Sequence, residues 1–376
     1  LEVDAKMTIP RADAGSPYMR WAKLNSTAKF NLATSGMANL SLSELGVTLE
    51  ELQINGPTIY GYDPLIKALA ARYRVPQESV VSAMGTSFAN YLALAGATEP
   101  GNEVLIEQPT YDPILGAARY LGLEIRRFKR KADHDFALDL EEVERNLSAR
   151  TRVIVLCNLH NPSGVLSPDS LLRELGLLAR SRNAYVLVDE VYREMLFSAE
   201  PQTAFHLDPS TFIVTSSLTK AYGLSGLRCG CILAPPDLAA RMWRIHDVHA
   251  ATYPFIAEYL SVIALEKLPQ ISARMKSMLD ENRALLRDFI EQRGDLDCSW
   301  PDYGTIVFPR LKRGKITDLC RLLRNEFELS IVPGEFFDMP DHFRIGVGTP
   351  TAEVRAALEQ LQHGLDRYKA TLAVGA

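Results

Sequence analysis

The stretch SSLTKAYGLSGLRCGCILA, residues 216–234, sets one lysine, Lys220, among Ser216, Ser217 and Thr219. Gly223, Gly226 and Arg228 follow it, and the segment ends in an apolar run. Lysines ordinarily stand on solvated helix faces, so an amine crowded by hydroxyls between two apolar runs, TFIVTSS (211–217) and CGCILAP (229–235), calls for a reason elsewhere in the chain.

Working outward, short apolar runs alternate with amphipathic ones from about residue 80 to 235. EVLIEQP (103–109), LEIRRFK (123–129), RVIVLCN (152–158) and AYVLVDE (184–190) read as further strands. Between them lie the helix patterns SFANYLALAGAT (87–98), DPILGAARYLG (112–122), LDLEEVERNLS (138–148) and PDSLLRELGLLARSRN (168–183). Continuous Val/Ile/Leu strands separated by helices predict a mostly parallel sheet covered on both faces, an α/β domain whose ligands gather beyond the carboxyl ends of the strands. After Pro254 the pattern changes. One long helical stretch reaches about Arg293, followed by CSWPDYGTIVFPRL, a helix near ITDLCRLLRNEF, the strands LSIVPG and HFRIGVG, and a final helix from about Thr351. A chain of 376 residues exceeds what one core usually serves. The expected division is a large domain over 46–265 and a smaller α+β domain made of 1–45 and 266–376, bridged by the long helix.

Composition narrows the function. With 41 Lys+Arg against 46 Asp+Glu the formal charge is −5, which argues against broad nucleic-acid binding. The one basic run, Arg126, Arg127, Lys129, Arg130 and Lys131, reads as the solvated end of a strand. Five cysteines without a CxxC pair predict a reduced, cytoplasmic protein without disulfides. The start LEVDAKMTIPRADAG has no apolar h-region, and no run approaches the roughly 20 residues of a membrane span.

The carboxyl ends of the expected strands carry the polar residues. Asn158-Leu-His-Asn161-Pro-Ser-Gly164 follows one strand, Asp189, Glu190 and Tyr192 another, and Gln108-Pro-Thr-Tyr111 a third, while Gly85-Thr86-Ser87 opens a helix. Each has a plainer reading: NPSG is a good turn, and Asp189 could cap a helix. His134 between Asp133 and Asp135 lacks a second ligand at metal spacing, so no metal site is expected. His160 reads as a solvent-exposed turn histidine.

Taken together, these segments resemble the pyridoxal-phosphate (PLP) enzymes of fold type I, the class I/II aminotransferase group with the aspartate aminotransferase-like fold. The resemblance runs from about Ser35 to the last helix. Ser217, Thr219, Lys220, Gly223, Gly226, Arg228 and Gly230 follow its pattern S-x-[ST]-K-x-x-G-x-x-G-x-R-x-G, joined by NPSG at 161–164 and by Asp189 with Tyr192. It implies a PLP cofactor joined to Lys220 as an aldimine. Asp189 would face the pyridine nitrogen, Asn161 and Tyr192 the phenolate oxygen, and Tyr111 the ring. Gly85, Thr86, Ser87, Ser217 and Arg228 would hold the phosphate, as a helix N-terminus and a guanidinium do. It also implies a homodimer in which Tyr60 completes the partner's site, and an α-carboxylate site at Arg344, aided by Gly36 and Asn161. Arg344 has the plainer reading of a strand arginine in a surface ion pair. Leu65 replaces a glycine the family often has five residues after that tyrosine, and Val248 stands where members built for dicarboxylates carry an extra arginine. Tyr18 and Trp21 either lie over the substrate entrance or pin the N-terminal arm. The expected reaction is transfer of an amino group between an α-amino acid and an α-keto acid by a ping-pong cycle. The alternative is another PLP reaction on an amino acid, a β-eliminating C–S lyase or a cyclase.

Overall fold

The computed structural model describes residues 15–25, 27–198 and 201–374. Residues 1–14, most of the amino-terminal stretch LEVDAKMTIPRADAG, lie outside them. The arm begins with α1 (Pro17–Asn25) and β1 (Phe30–Asn31), and α2 (Asp63–Tyr73) leads into the main sheet. There the chain runs β2 (Val80–Met84), α3 (Thr86–Ala97), β3 (Glu103–Gln108), α4 (Asp112–Tyr120), β4 (Glu124–Lys129), α5 (Leu140–Asn146), β5 (Thr151–Cys157), α6 (Asp169–Ser181), β6 (Tyr185–Asp189), β7 (Phe212–Ser217) and β8 (Cys229–Leu233).

Among the described residues these strands form a seven-stranded sheet in the order β2-β8-β7-β6-β5-β3-β4. Strands β3 to β7 are parallel, and β8 runs antiparallel to both β7 and β2. Alternate residues serve opposite faces. Leu105, Ile154, Leu156, Val186, Val188 and Val214 meet Leu172, Leu175 and Ala179 of α6 in one core cluster. Val104, Ile106, Val153, Val155, Leu187 and Ile213 join Ala89, Leu92 and Ala93 of α3 in the other. Burial on both faces is why the strands read as unbroken apolar runs rather than alternating ones.

Three expectations need correction. Strand β2, only VVSAM, was not anticipated; it pairs Met84 with Cys229 and so brings the start of α3 beside Arg228. The single long helix after Pro254 is two, α8 (Phe255–Glu266) and α9 (Leu268–Glu291), following α7 (Pro236–His249). The break falls at Lys267 because Pro269 has no N–H to continue the ladder, and a proline fits only in a first turn. Arg130 is not solvated: it is fully buried, donating to Glu107 at 3.0 Å, to the Phe136 carbonyl at 2.7 Å and to Ser167 at 3.2 Å.

Beyond α9 come the short strands β9 (Leu296–Asp297), β10 (Ile306–Val307) and β11 (Arg310–Leu311), helix α10 (Ile316–Phe327), strands β12 (Leu329–Ser330), β13 (Val332–Pro333) and β14 (Phe343–Gly346), and α11 (Thr351–Val374). Strand β1 of the arm pairs in parallel with β12, and β14 lies between β10 and β13. No helix among the described residues is long and apolar enough to cross a membrane.

Candidate active site

Lys220 stands three residues past the end of β7, half-buried, its backbone carbonyl held by Met37 N–H at 2.8 Å. Its Nζ donates to Ser35 Oγ at 3.1 Å, and the same oxygen accepts from Tyr192 OH at 2.8 Å. Desolvation lowers the Lys220 pKa to about 8; the nearby charges of Arg344 and Arg228 act the same way, and Asp189 opposes them. Gly36 lies against the lysine stem, where a Cβ would come within 3.4 Å of Cδ.

Asp189 closes β6. Burial raises its pKa to about 6, against hydrogen bonds from Asn90 Nδ2 at 2.8 Å and Val191 N–H at 3.0 Å and the charge of Lys220. Asn90 is itself aimed by Thr215, whose hydroxyl donates to Oδ1 at 2.6 Å. Tyr111 and Tyr192 are both pushed above the ordinary phenol range, chiefly by burial.

The start of α3 faces this group. Gly85 precedes the helix at φ +77°, and a side chain there would run into the Arg228 guanidinium. Thr86 Oγ1 donates to Ser217 Oγ at 2.9 Å, which lies 2.6 Å from Thr219 Oγ1. Arg228 bonds only backbone oxygens among the described residues, Ser225 at 3.3 Å and Met84 at 3.4 Å. A guanidinium without a carboxylate, beside free helix N–H groups and a ring of hydroxyls, fits a phosphate.

A cavity of about 160 Å³ joins these parts. Thr86, Ser87, Tyr111, Asn161, Asp189, Tyr192, Lys220 and Arg228 line it, with Met19, Cys157, Val191, Thr219 and Ser225. Of the other residues singled out in the sequence, Gly85, Ser217 and Gly36 stand directly behind the lining. Arg344 is fully buried behind Asn161, donating to its Oδ1 at 2.9 Å. Tyr60 is not brought into the cavity by its own chain: it is 42 % exposed, packed on Trp243 and bonded to Arg244.

His160 corrects another expectation. It is fully buried, bonded to Ser163 Oγ at 2.6 Å and the Pro109 carbonyl at 3.0 Å, and desolvation with nearby Arg130 keeps its pKa well below the ordinary value. With Glu107 and Arg130 it forms a polar support under the Asn158–Asn161 turn. Sequence reasoning also missed Ser35 and Asn90. Asn90 left a signal, as a lone amide four residues after Thr86 on an otherwise apolar helix; Ser35 left none, because its place beside Lys220 depends on the arm crossing from a distant part of the chain.

The chain fits the sequence profile of a family described as aminotransferase class I and II over residues 53–361. The chain belongs to the class I and II aminotransferase family. It is 31 % identical over 374 residues to a capreomycidine synthase of Streptomyces vinaceus, covering 96 % of each chain. It is 26 % identical to an arginine–pyruvate transaminase of Pseudomonas aeruginosa over 81 % of this chain and 80 % of that one. Among solved structures, a PLP-dependent aminotransferase of Streptococcus suis superposes with a TM-score of 0.86 at 25 % identity, covering 96 % of this chain and 98 % of the other. The fold is the aspartate aminotransferase-like fold type I, and the cofactor is pyridoxal 5′-phosphate. The donor set above fits that cofactor at each end: an amine, a buried carboxylate and a phosphate cradle.

Proposed function

We propose that this enzyme is an aminotransferase, moving an amino group from an α-amino acid to an α-keto acid in two half-reactions. The observation that carries this is Lys220: an amine held near pKa 8 in the same cavity as Asp189 and Arg228. A depressed pKa supplies the neutral amine that proton transfer at the substrate Cα requires. When bound, the cofactor supplies an electron sink for the Cα–H bond as it breaks.

The chain's residues divide the remaining work. Asp189 holds a proton on the ring nitrogen, and Asn161 and Tyr192 donate to the phenolate oxygen. Tyr111 covers the ring face. Gly85, Thr86, Ser87, Ser217 and Arg228 anchor the phosphate. Arg344 takes the α-carboxylate, with Asn161 and the backbone at Gly36 beside it. Tyr60 serves the partner's phosphate site in a homodimer; the exposed Ile54, Ile59 and Val248, at 72 %, 84 % and 84 %, support an apolar contact surface. The same reading keeps 46–265 as the large domain and 1–45 with 266–376 as the small one, and takes the enzyme as cytoplasmic.

A cyclase-type reaction is the second reading, favoured by the 31 % identity to the capreomycidine synthase along nearly the whole chain. Mixing the holoenzyme with single amino acids, in the absence of keto acid, separates the two. One equivalent of keto acid with conversion of the cofactor to pyridoxamine phosphate supports transamination. A cyclised or eliminated product, with the cofactor spectrum returning to its starting form, overturns it.

A further inference from the structure

Arg344 is fully buried on β14 with its guanidinium against two neighbouring rings, Tyr18 at 5.3 Å and Phe337 at 5.4 Å. Its donors are distributed unevenly. Nη1 serves Asn161 Oδ1 at 2.9 Å, whereas Nη2 serves both Tyr18 OH at 2.6 Å and the Ala33 carbonyl at 3.3 Å. Nε is buried without a hydrogen-bond partner among the described residues.

A carboxylate grips a guanidinium in a fork, either end-on through Nη1 and Nη2 or side-on through Nε and Nη2. Both forks use Nη2, and both of its protons are taken. The idle Nε leaves the side-on fork half open; to complete it Nη2 must release one of its two acceptors, and of these the Tyr18 phenol is a side-chain group able to swing aside whereas the Ala33 carbonyl is fixed in the backbone. Tyr18 is delivered there by α1, which is tied to the large sheet's side through Asp112, accepting from Ser16 Oγ at 2.5 Å and Tyr18 N–H at 3.3 Å. Met19, the next residue, lines the cavity.

We propose that Tyr18 is a capping residue whose phenol oxygen occupies the carboxylate site on Arg344 and is displaced by the incoming amino acid. This rests on the reading of Arg344 as the α-carboxylate site. The arm then does two things at once: it keeps the guanidinium hydrogen-bonded in the substrate-free enzyme, and it makes every carboxylate compete with a phenol for Nη2. Only ligands able to offer two carboxylate oxygens win that exchange.

The test uses the holoenzyme and 2-methylalanine, an amino acid with no Cα hydrogen to lose, with binding followed through the cofactor absorbance. Tyr18→Phe keeps the ring over the guanidinium and removes the competing oxygen, so Kd falls by about ten- to a hundredfold, the size of one hydrogen bond to a charged group. A Kd that is unchanged or raised overturns the proposal; damage to packing also moves Kd upward and cannot imitate the expected result. Arg344→Gln, measured alongside, weakens binding at least tenfold if Arg344 holds the carboxylate. If it leaves Kd unaltered, the carboxylate assignment itself fails, a result distinct from a failure confined to Tyr18→Phe.

Discussion

Lys220 and Asp189 are shifted in opposite directions by one cause, removal from water. The Asp189 carboxyl moves from 3.8 to about 6, so its contribution to stability is present below 3.8 and lost as pH rises through 6. The Lys220 amine moves from 10.5 to about 8, so its contribution is present above 10.5 and lost as pH falls through 8. Between pH 6 and 8 the cofactor-free protein bears both penalties. In the proposed reading the cofactor would relieve each, with a ring nitrogen for the carboxylate and a carbonyl carbon for the amine. Asp189→Asn is therefore expected to stabilise the cofactor-free protein at pH 7.5 by up to roughly 3 kcal/mol, since two pKa units correspond to about that much, with the difference vanishing near pH 4. Denaturant unfolding at the two pH values measures it. The same variant is expected to lose at least a hundredfold in turnover when loaded, measured as kcat. Lys220→Ala is expected to abolish turnover with every amino acid tested.

Several elements reach the site by close backbone approach. Gly223, at φ +66°, leaves no room for a Cβ against the Ala38 carbonyl, and its own carbonyl accepts from Leu40 N–H at 2.9 Å. That contact fixes the arm beside Lys220, so Gly223→Ala is expected to destabilise by on the order of 2–4 kcal/mol through strained φ and steric displacement. Thermal unfolding checks the loss, and weaker cofactor retention on dialysis should accompany it. The helices α3 to α6 were legible because each carries an apolar face at helical spacing, and the parallel strands because both faces are buried. Strand β2 was not legible: VVSAM has only two β-branched residues before Ser82, Ala83 and Met84, and its pairing with β8 is what makes it a strand. Arg130 and His160 looked like solvated residues for a similar reason. Their partners, Glu107 and the Pro109 carbonyl, lie far away in the sequence, and nothing local announces a buried pair.

At the scale of the whole molecule, the outward position of Tyr60 and the exposed apolar residues near it support assembly into a dimer with shared sites. Light scattering is expected to give twice the chain mass. Ile59→Asp is expected to shift it toward the monomer and to weaken PLP retention, because the phosphate would lose the partner's tyrosine. A monomeric parent protein with full PLP affinity would remove the shared-site reading. By itself the sequence determined the sheet type, the family and the order of the motif residues that the proposed cofactor contacts draw on. These are properties of short segments, set by strand burial and by a motif whose members follow one another along the chain. Only the tertiary structure decided that Ser35 bridges Lys220 and Tyr192, that Asn90 aims Asp189, and that Tyr18 covers Arg344. Each of those contacts joins segments tens to hundreds of residues apart, and the approach of such segments is governed by packing of whole elements, which no local spacing encodes.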